Sequence, residues 1–275
     1  MYTTSQRTRT TTPQQHISGD FADYITSLAT WEQNLLTNIT FYRQPYEMMD
    51  MIYKLPTDSK LYIASDGSHK AGQMSFGWVF GSDTGEIFAE NAGAGYGKPT
   101  SHRAEGWGIL SGGLFIHYLQ RYTGQQIPKG SDPNSPRVVI TSDNQGLIKR
   151  LLQRRKYNVV YPNATLEPDW DLTEQIHTIF TQTPKLDHTY SWTKGHQDDS
   201  NGTLTTAAQY NIKADMISRR YINETDCTQP TSPLLPASRC MLTLNGHTIH
   251  GHYASEIRLG YSTPILFQYL QSRHQ

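Results

Sequence analysis

Four acidic residues stand at places where a folded chain could bring them together as ligands for divalent cations. Asp66 follows the apolar run 61–64 and Asp143 follows the β-branched run 137–141, whereas Glu105 and Asp215 fall within predicted helices. Carboxylates that are packed closely repel one another, so such a cluster requires cations. The residue types therefore predict a metal site, provided that the intervening elements meet at one edge.

The elements around these residues predict an α/β fold. Apolar or β-branched runs at 61–64, 74–80, 86–94, 137–141 and 188–193 indicate five strands, and the first three are joined by short turns as an antiparallel meander. Helical periodicity is found at 103–121, after Asn144 as a capping residue, at about 171–181 and at about 205–222. Glycines at 106, 108, 112 and 113 disfavour a helix, so we expect helix 103–121 to use them for close packing on the sheet.

The strand order decides whether the carboxylates meet. A right-handed crossover places the strand before Asp143 parallel to the strand before Asp66, so that both acids emerge at the same sheet edge. The first strand also begins the meander on its other side, and this reversal of chain order is where open α/β sheets bind ligands. Neighbouring strands are about 4.8 Å apart, and two catalytic metal ions are separated by about 4 Å.

Five short motifs occur along the chain. They are Asp66-Gly-Ser, Arg103-Ala-Glu, Ser142-Asp-Asn-Gln, Trp192-Thr-Lys-Gly-His and Asn211-Ile-Lys-Ala-Asp. In this order and structural context they resemble type 1 ribonuclease H domains, in particular those that follow a reverse transcriptase in retroelement polyproteins. The resemblance covers residues 60–222 and implies a five-stranded mixed sheet, the meander plus two parallel strands, flanked by helices.

The resemblance implies a function and the residues that perform it. An enzyme of this family hydrolyses the RNA strand of an RNA/DNA hybrid with two Mg2+ ions, for which Mn2+ can substitute at an oxygen-only site. Asp66, Glu105, Asp143 and Asp215 are the implied metal ligands, and His196 is the implied aid to proton transfer or product release. The implied substrate contacts are Gly67, Ser68, Ser101, His102, Asn144, Gln145 and Asn211.

Some features depart from the family or leave alternatives open. Ser101-His102 replaces the Asn pair of many relatives, which affects the contact to RNA 2′-hydroxyls. The basic run 149–156 fits either a solvated helix face or a phosphate-binding one. Trp78, Trp107 and Trp192 are expected in the core. Other functions are a silent nucleic-acid-binding module, an exonuclease or an integrase, although exonucleases carry Asp-x-Glu where this chain has Ser68.

Composition sets the expected context of the catalytic unit. Lys plus Arg and Asp plus Glu number 24 each, so attraction to a polyanion depends on local clustering. We expect residues 1–57 to form an extension that is first disordered and then helical, residues 58–224 the catalytic domain, and residues 225–275 a tail. With two cysteines and no signal-like or membrane-length apolar run, we expect an intracellular protein that partners a hybrid, and a reverse transcriptase domain, rather than a membrane.

Overall fold

A six-stranded mixed sheet forms the centre of the protein in a computed structural model. The model describes residues 20–132, 135–159, 164–183, 186–195, 197, 204–227, 233–238, 242–244 and 247–273. The strands lie in the order β1-β4-β3-β2-β5-β6. They are β1 (Thr40–Phe41), β2 (Leu61–Lys70), β3 (Gln73–Ser82), β4 (Ile87–Ala94), β5 (Val138–Ser142) and β6 (His188–Trp192).

The sheet topology confirms the predicted fold class. β2, β3 and β4 form the antiparallel meander, and β5 pairs in parallel with both β2 and β6. The short strand β1 is an addition, because it pairs antiparallel with β4 through Thr40 and Glu90. This segment had been predicted as helical, and it forms a strand because the outer edge of β4 offers unpaired backbone groups.

Helices cover the sheet, and a small hairpin follows near the C terminus. The helices are α1 (Phe21–Thr26), α2 (Thr30–Leu36), α3 (Pro45–Lys54), α4 (Ser101–Thr123), α5 (Gln145–Arg155), α6 (Trp170–Gln182), α7 (Thr206–Glu224) and α8 (Tyr253–Arg273). The hairpin consists of β7 (Leu242–Leu244) and β8 (His247–Ile249), and a short 3-10 helix spans Ala164–Leu166. Within the described part of the chain, none of these helices is both long and apolar enough to span a bilayer.

Strand alternation divides the buried residues into two layers. Ile63 and Trp78 belong to the large core that includes Phe115 of α4, whereas Ala64 and Val79 belong to a smaller cluster with α7. Successive residues of a strand point to opposite faces, so α4 and α7 lie on opposite sides of β2 and β3. The two helices that carry Glu105 and Asp215 therefore approach the same pair of strands from opposite faces.

Glycine allows both helices to lie unusually close to the sheet, as predicted for α4. A Cβ added at Gly108 would be 2.2 Å from Ser65 Oγ, and one added at Gly112 would be 2.6 Å from Ile63 Cγ2. On the opposite face, a Cβ at Gly77 would be 2.5 Å from the carbonyl oxygen of Ala214. These contacts fix how closely both helices approach the sheet.

The segment before β2 packs on the same core as the sheet. Phe21 stacks edge-on against Phe41 and Phe115, with ring centroids 5.6 and 6.3 Å away. Leu35 and Met48, from α2 and α3, are completely buried in that core. The apolar residues of this segment thus pack on the outer face of α4, where burial of several large side chains contributes to stability.

Candidate active site

The ends of β2 and β5 place two of the predicted ligands side by side. Ala64 pairs with Thr141 in the parallel register, so Asp66 and Asp143 each lie two residues beyond that pair. Asp66 is 8% exposed, whereas Asp143 is half-buried. The predicted meeting of these two carboxylates at one sheet edge is therefore what the strand register produces.

Glu105 reaches this edge because the first turn of α4 packs directly on Gly67. A Cβ at Gly67 would be 2.5 Å from the Glu105 backbone nitrogen and 2.6 Å from Ala104 Cβ. Thr100 caps the helix by accepting a hydrogen bond from Arg103 N at 3.0 Å. Gly67 had been predicted as a substrate contact, and its position shows a packing requirement.

Two side chains from the end of β5 hold the Glu105 carboxylate. Ser142 donates its hydroxyl to Glu105 Oε2, and Asn144 Nδ2 donates to Glu105 Oε1 at 3.3 Å. Asn144 Oδ1 also accepts from Leu147 N at 3.0 Å, which is the predicted helix cap. Ser142 was absent from the predicted site residues. Its place in the Ser-Asp-Asn motif was the available signal, but its inward direction depended on the strand pleat.

Asn211 and Asp215 bring α7 to the same site from the other face. Asn211 Nδ2 lies 3.3 Å from Asp66 Oδ2 and so donates to that carboxylate. Asp215, one helical turn further on, pairs with Arg219 at 2.7 Å between Oδ1 and Nε. The close contact of Ala214 with Gly77 fixes this part of α7 against the sheet.

Electrostatics show that the four carboxylates act on one another. Burial, together with the negative charges of Asp143 and Asp215, raises the pKa of Asp66 to about 8. Burial likewise raises the pKa of Glu105, with Asp143 and Asp66 adding to the rise, while the hydrogen bond from Ser142 opposes it. Each carboxylate therefore lies within electrostatic range of at least one other.

The donor set suits a hard divalent cation. The clustered side chains offer carboxylate, amide and hydroxyl oxygens, and a cation would relieve the repulsion that raises both pKa values. Among the residues that the structure describes, no three His, Cys, Asp or Glu side chains already surround a single point at ligand distance.

The loop after β6 lies against Asp143. Trp192 Nε1 donates to the Asp143 carbonyl oxygen at 2.8 Å, and a Cβ at Gly195 would be 2.1 Å from Asp143 Oδ2. Trp192 is 48% exposed, so its predicted core position is wrong, because β6 is the edge strand and Trp192 is its last residue. Trp78 and Trp107 are buried as predicted. His196, the predicted proton-transfer residue, lies outside the described residues.

The remaining predicted substrate contacts surround the start of two helices. Ser101 and Gln145 are exposed as the first residues of α4 and α5, and Ser68 is half-buried in β2. His102 lies between the two helices, with Nδ1 3.2 Å from Asn144 Oδ1. These residues thus border the Glu105 side of the carboxylate cluster.

The basic run on α5 is not a uniform surface. Arg154 is 4% exposed and binds the Glu174 carboxylate through Nε at 2.5 Å and Nη2 at 2.9 Å. Arg155 donates to the His188 carbonyl at 2.8 Å. The prediction that Arg154 lies on an exposed face is wrong, whereas Leu152 is 37% exposed. The buried stripe of α5 continues through Arg154 because Glu174 of α6 neutralises it.

Solved structures that resemble this chain are ribonucleases H1 and retroviral enzymes with a reverse transcriptase. Ribonuclease H1 from the archaeon Halobacterium salinarum is 15% identical with a TM-score of 0.39, over 60% of this chain and 99% of that chain. LC11-RNase H1, solved with an RNA/DNA hybrid, is 14% identical with a TM-score of 0.41, over 60% and 98%. The prototype foamy virus protease-reverse transcriptase is 17% identical with a TM-score of 0.38, over 60% and 21%. No protein-family model and no curated protein matches the chain.

Proposed function

We propose that this protein is a ribonuclease H, an endonuclease that hydrolyses the RNA strand of RNA/DNA hybrids. The observation that carries the proposal is the cluster of Asp66, Glu105, Asp143 and Asp215, which reach one sheet edge from two strands and two helices. Such a set of mutually repelling carboxylates is suited to metal-assisted phosphodiester hydrolysis.

In this proposal the four carboxylates hold two Mg2+ ions, or Mn2+ in their place. When bound, such ions lower the pKa of water and neutralise charge that develops on the phosphate. Ser142 and Asn144 direct the Glu105 carboxylate, and Asn211 directs that of Asp66. His196 is proposed to assist proton transfer or product release, as general acid–base groups do at such sites.

Recognition of the hybrid is proposed to involve the helix starts that border the cluster. Ser68, Ser101 and Gln145 present hydroxyl and amide groups near the Glu105 side, which suits contacts to RNA 2′-hydroxyls. LC11-RNase H1, which is similar to this chain, was solved in complex with an RNA/DNA hybrid.

We further propose an intracellular protein that works with a reverse transcriptase domain, as in retroelement polyproteins. The foamy virus protein that resembles this chain is a protease-reverse transcriptase. The motif order Asp-Gly-Ser, Arg-Ala-Glu and Ser-Asp-Asn supports the same assignment.

The direct test is incubation of the protein with an end-labelled RNA/DNA hybrid in Mg2+. The proposal expects internal cuts in the RNA strand only, no cuts in single-stranded RNA or duplex DNA, and loss of cleavage in EDTA. Asp66→Asn serves as the inactive variant, and Asp50→Asn, an exposed change on α3, as its charge-matched control. Binding of the hybrid without cleavage by the parent protein would instead support the silent nucleic-acid-binding module.

A further inference from the structure

His102 joins the starts of α4 and α5 through both of its ring nitrogens. Nδ1 lies 3.2 Å from Asn144 Oδ1, and Nε2 lies 2.8 Å from Arg150 Nη1. Asn144 in turn donates to Glu105 Oε1 at 3.3 Å. A continuous chain of hydrogen bonds therefore runs from Arg150 through His102 and Asn144 to the Glu105 carboxylate.

The hydrogen-bond partners of the two ring nitrogens decide which nitrogen of the His102 imidazole carries the proton. Arg150 can only donate, so His102 Nε2 must accept. The backbone N–H of Leu147 donates to Asn144 Oδ1, which fixes that atom as an acceptor and requires His102 Nδ1 to donate. Arg150 and Asn144 therefore require the same form of His102, a neutral imidazole with its proton on Nδ1.

A buried ion-pair network lies next to His102. Arg103, which is completely buried, binds Asp169 at 3.0 Å and Asp171 at 2.6 Å. Asp169 has a left-handed backbone with φ 55°, and its side chain binds Arg103 instead of capping α6. A non-glycine residue keeps this strained conformation only where the surrounding packing imposes it. Asp169 Oδ2 lies 3.8 Å from His102 Nε2, which is farther than Arg150 Nη1.

We propose that His102, held as the Nδ1-protonated tautomer by Arg150, is a positioning residue that orients Asn144 and through it Glu105. The proposal rests on the proposed function, since Glu105 matters there as a metal ligand. It replaces the sequence-based assignment of His102 as a contact to the RNA 2′-hydroxyl, because both ring nitrogens already have protein partners. The donor direction runs one way, from guanidinium to imidazole to amide to carboxylate.

The electrostatic surroundings agree with a neutral ring. Burial lowers the pKa of His102, and the positive charges of Arg150 and Arg103 lower it as well, while Asp169 acts in the opposite direction. The net shift is downward, so the imidazole stays neutral at physiological pH.

Two near-isosteric substitutions of His102 test its two hydrogen bonds separately. The side-chain amide of asparagine can place a donor near the position of Nδ1, whereas glutamine can place an acceptor near the position of Nε2. His102→Asn should keep turnover within about threefold, whereas His102→Gln and His102→Ala should lower kcat by about tenfold to a hundredfold with little change in KM. His69→Ala, on the exposed end of β2, is the control.

A KM that rises in His102→Ala while kcat is unchanged would make His102 a substrate contact and overturn the proposal. Equal activity of all three His102 variants and the parent would also overturn it. These kinetic outcomes require that the parent protein cleaves the hybrid.

An activity-independent measurement separates this inference from the proposed function. Long-range 1H–15N NMR correlation of the imidazoles, assigned with His102→Asn, reports which ring nitrogen carries the proton. We expect the neutral Nδ1–H tautomer at pH 7 in the protein alone. In Arg150→Met the proton on Nδ1 should stay, because Asn144 Oδ1 still requires a donor, and Nε2 should take up a proton at a higher pH than in the parent because its donor is gone. An Nε2–H tautomer or a charged ring at pH 7 would overturn the inference, whether or not the protein cleaves hybrids.

Discussion

The four carboxylates of the site form an inner pair and an outer pair. The inner pair, Asp66 and Glu105, is 8% and 5% exposed and accepts hydrogen bonds from Asn211, Ser142 and Asn144. The outer pair, Asp143 and Asp215, is half-buried, and the side chain of Asp215 is 22% exposed next to Arg219. The inner carboxylates are therefore positioned by protein, whereas the outer ones keep contact with solvent.

This difference separates two tasks. Protein hydrogen bonds to the inner pair fix its direction, but burial and the charge of Asp143 raise both inner pKa values, and Asp215 also raises that of Asp66. Desolvation of a carboxylate is costly unless a positive charge compensates it. The inner pair thus carries an electrostatic cost that a cation would relieve, whereas the outer pair is in contact with solvent.

The largest expected effect comes from removing an inner charge. Asp66→Asn should lower hybrid cleavage by about a thousandfold or more, because a proposed metal ligand is lost. In cation-free buffer at pH 8 the same change should stabilise the fold by about 2 to 5 kcal/mol, because it removes a buried repulsion. Denaturant unfolding and hybrid cleavage measure the two effects, with Asp50→Asn as control. A destabilised, fully active variant would contradict the role of the inner pair.

The pH dependence of the unfolding free energy should also reflect the raised pKa of Asp66. Asp66 has a folded pKa of about 8 against an ordinary value of 3.8, so the folded protein binds the extra proton between these values. The stabilisation of the folded state that results from this extra proton is present at about pH 4 and below, and it is lost as the pH rises to about 8. Cation-free unfolding curves of the parent and Asp66→Asn should therefore diverge as the pH increases over this range. Parallel curves would mean that Asp66 is not a perturbed acid.

Packing beneath the inner pair gives the next effect. Gly67→Ala should destabilise the protein by about 3 kcal/mol and reduce activity, because the new methyl would meet the α4 backbone at 2.5 Å. Gly72→Ala is the control: Gly72 has φ +78° but nothing within 4 Å of an added Cβ, so it should cost only about 1 kcal/mol and leave activity intact. Equal losses in the two variants would show that the contact between residue 67 and α4 adds no cost of its own.

A smaller effect is expected at the outer pair. In Gly195→Ala the new methyl would displace the Asp143 carboxylate, which lies at the end of a flexible side chain and can move. Unfolding free energy should change by less than about 0.5 kcal/mol, and kcat should fall by about tenfold. Thermal melts measure the change in stability, and single-turnover cleavage measures the change in rate. A stability loss as large as that of Gly67→Ala would place Asp143 among the rigidly packed ligands.

The smallest effect should follow removal of Arg219. This residue is 54% exposed and pairs with Asp215 over one helical turn, so Arg219→Gln should change stability by no more than about 0.5 kcal/mol. The Mg2+ concentration for half-maximal cleavage should fall slightly, because Asp215 loses a competing positive charge. Cleavage titrated with Mg2+ measures this shift, and an increased Mg2+ requirement would show that Arg219 supports the site.

The local features of this site were predictable because they depend on short-range chemistry. The strand before Asp66, the Asn144 cap and the glycine-rich face of α4 follow from turn residues, capping groups and the space that a helix needs on a sheet. The parallel pairing of β2 and β5 followed from the handedness of the crossover.

The features that were predicted wrongly depend on partners distant in sequence. Arg154 is buried because Glu174 faces it across two helices, and Trp192 is exposed because β6 has no further strand beside it. Strand β1 forms only because the edge of β4 accepts it. Likewise, the role inferred for His102 depends on Arg150, which the spacing of α4 residues could not indicate.

We propose that the inner carboxylates, which are perturbed by their neighbours, require a cation. Carboxyl 13C NMR of the protein, with Asp66 assigned through Asp66→Asn, measures its pKa directly with and without Mg2+. We expect a pKa of about 8 without cation and a marked decrease when Mg2+ is added. An Asp66 pKa near the ordinary 3.8 that does not respond to Mg2+ would contradict it.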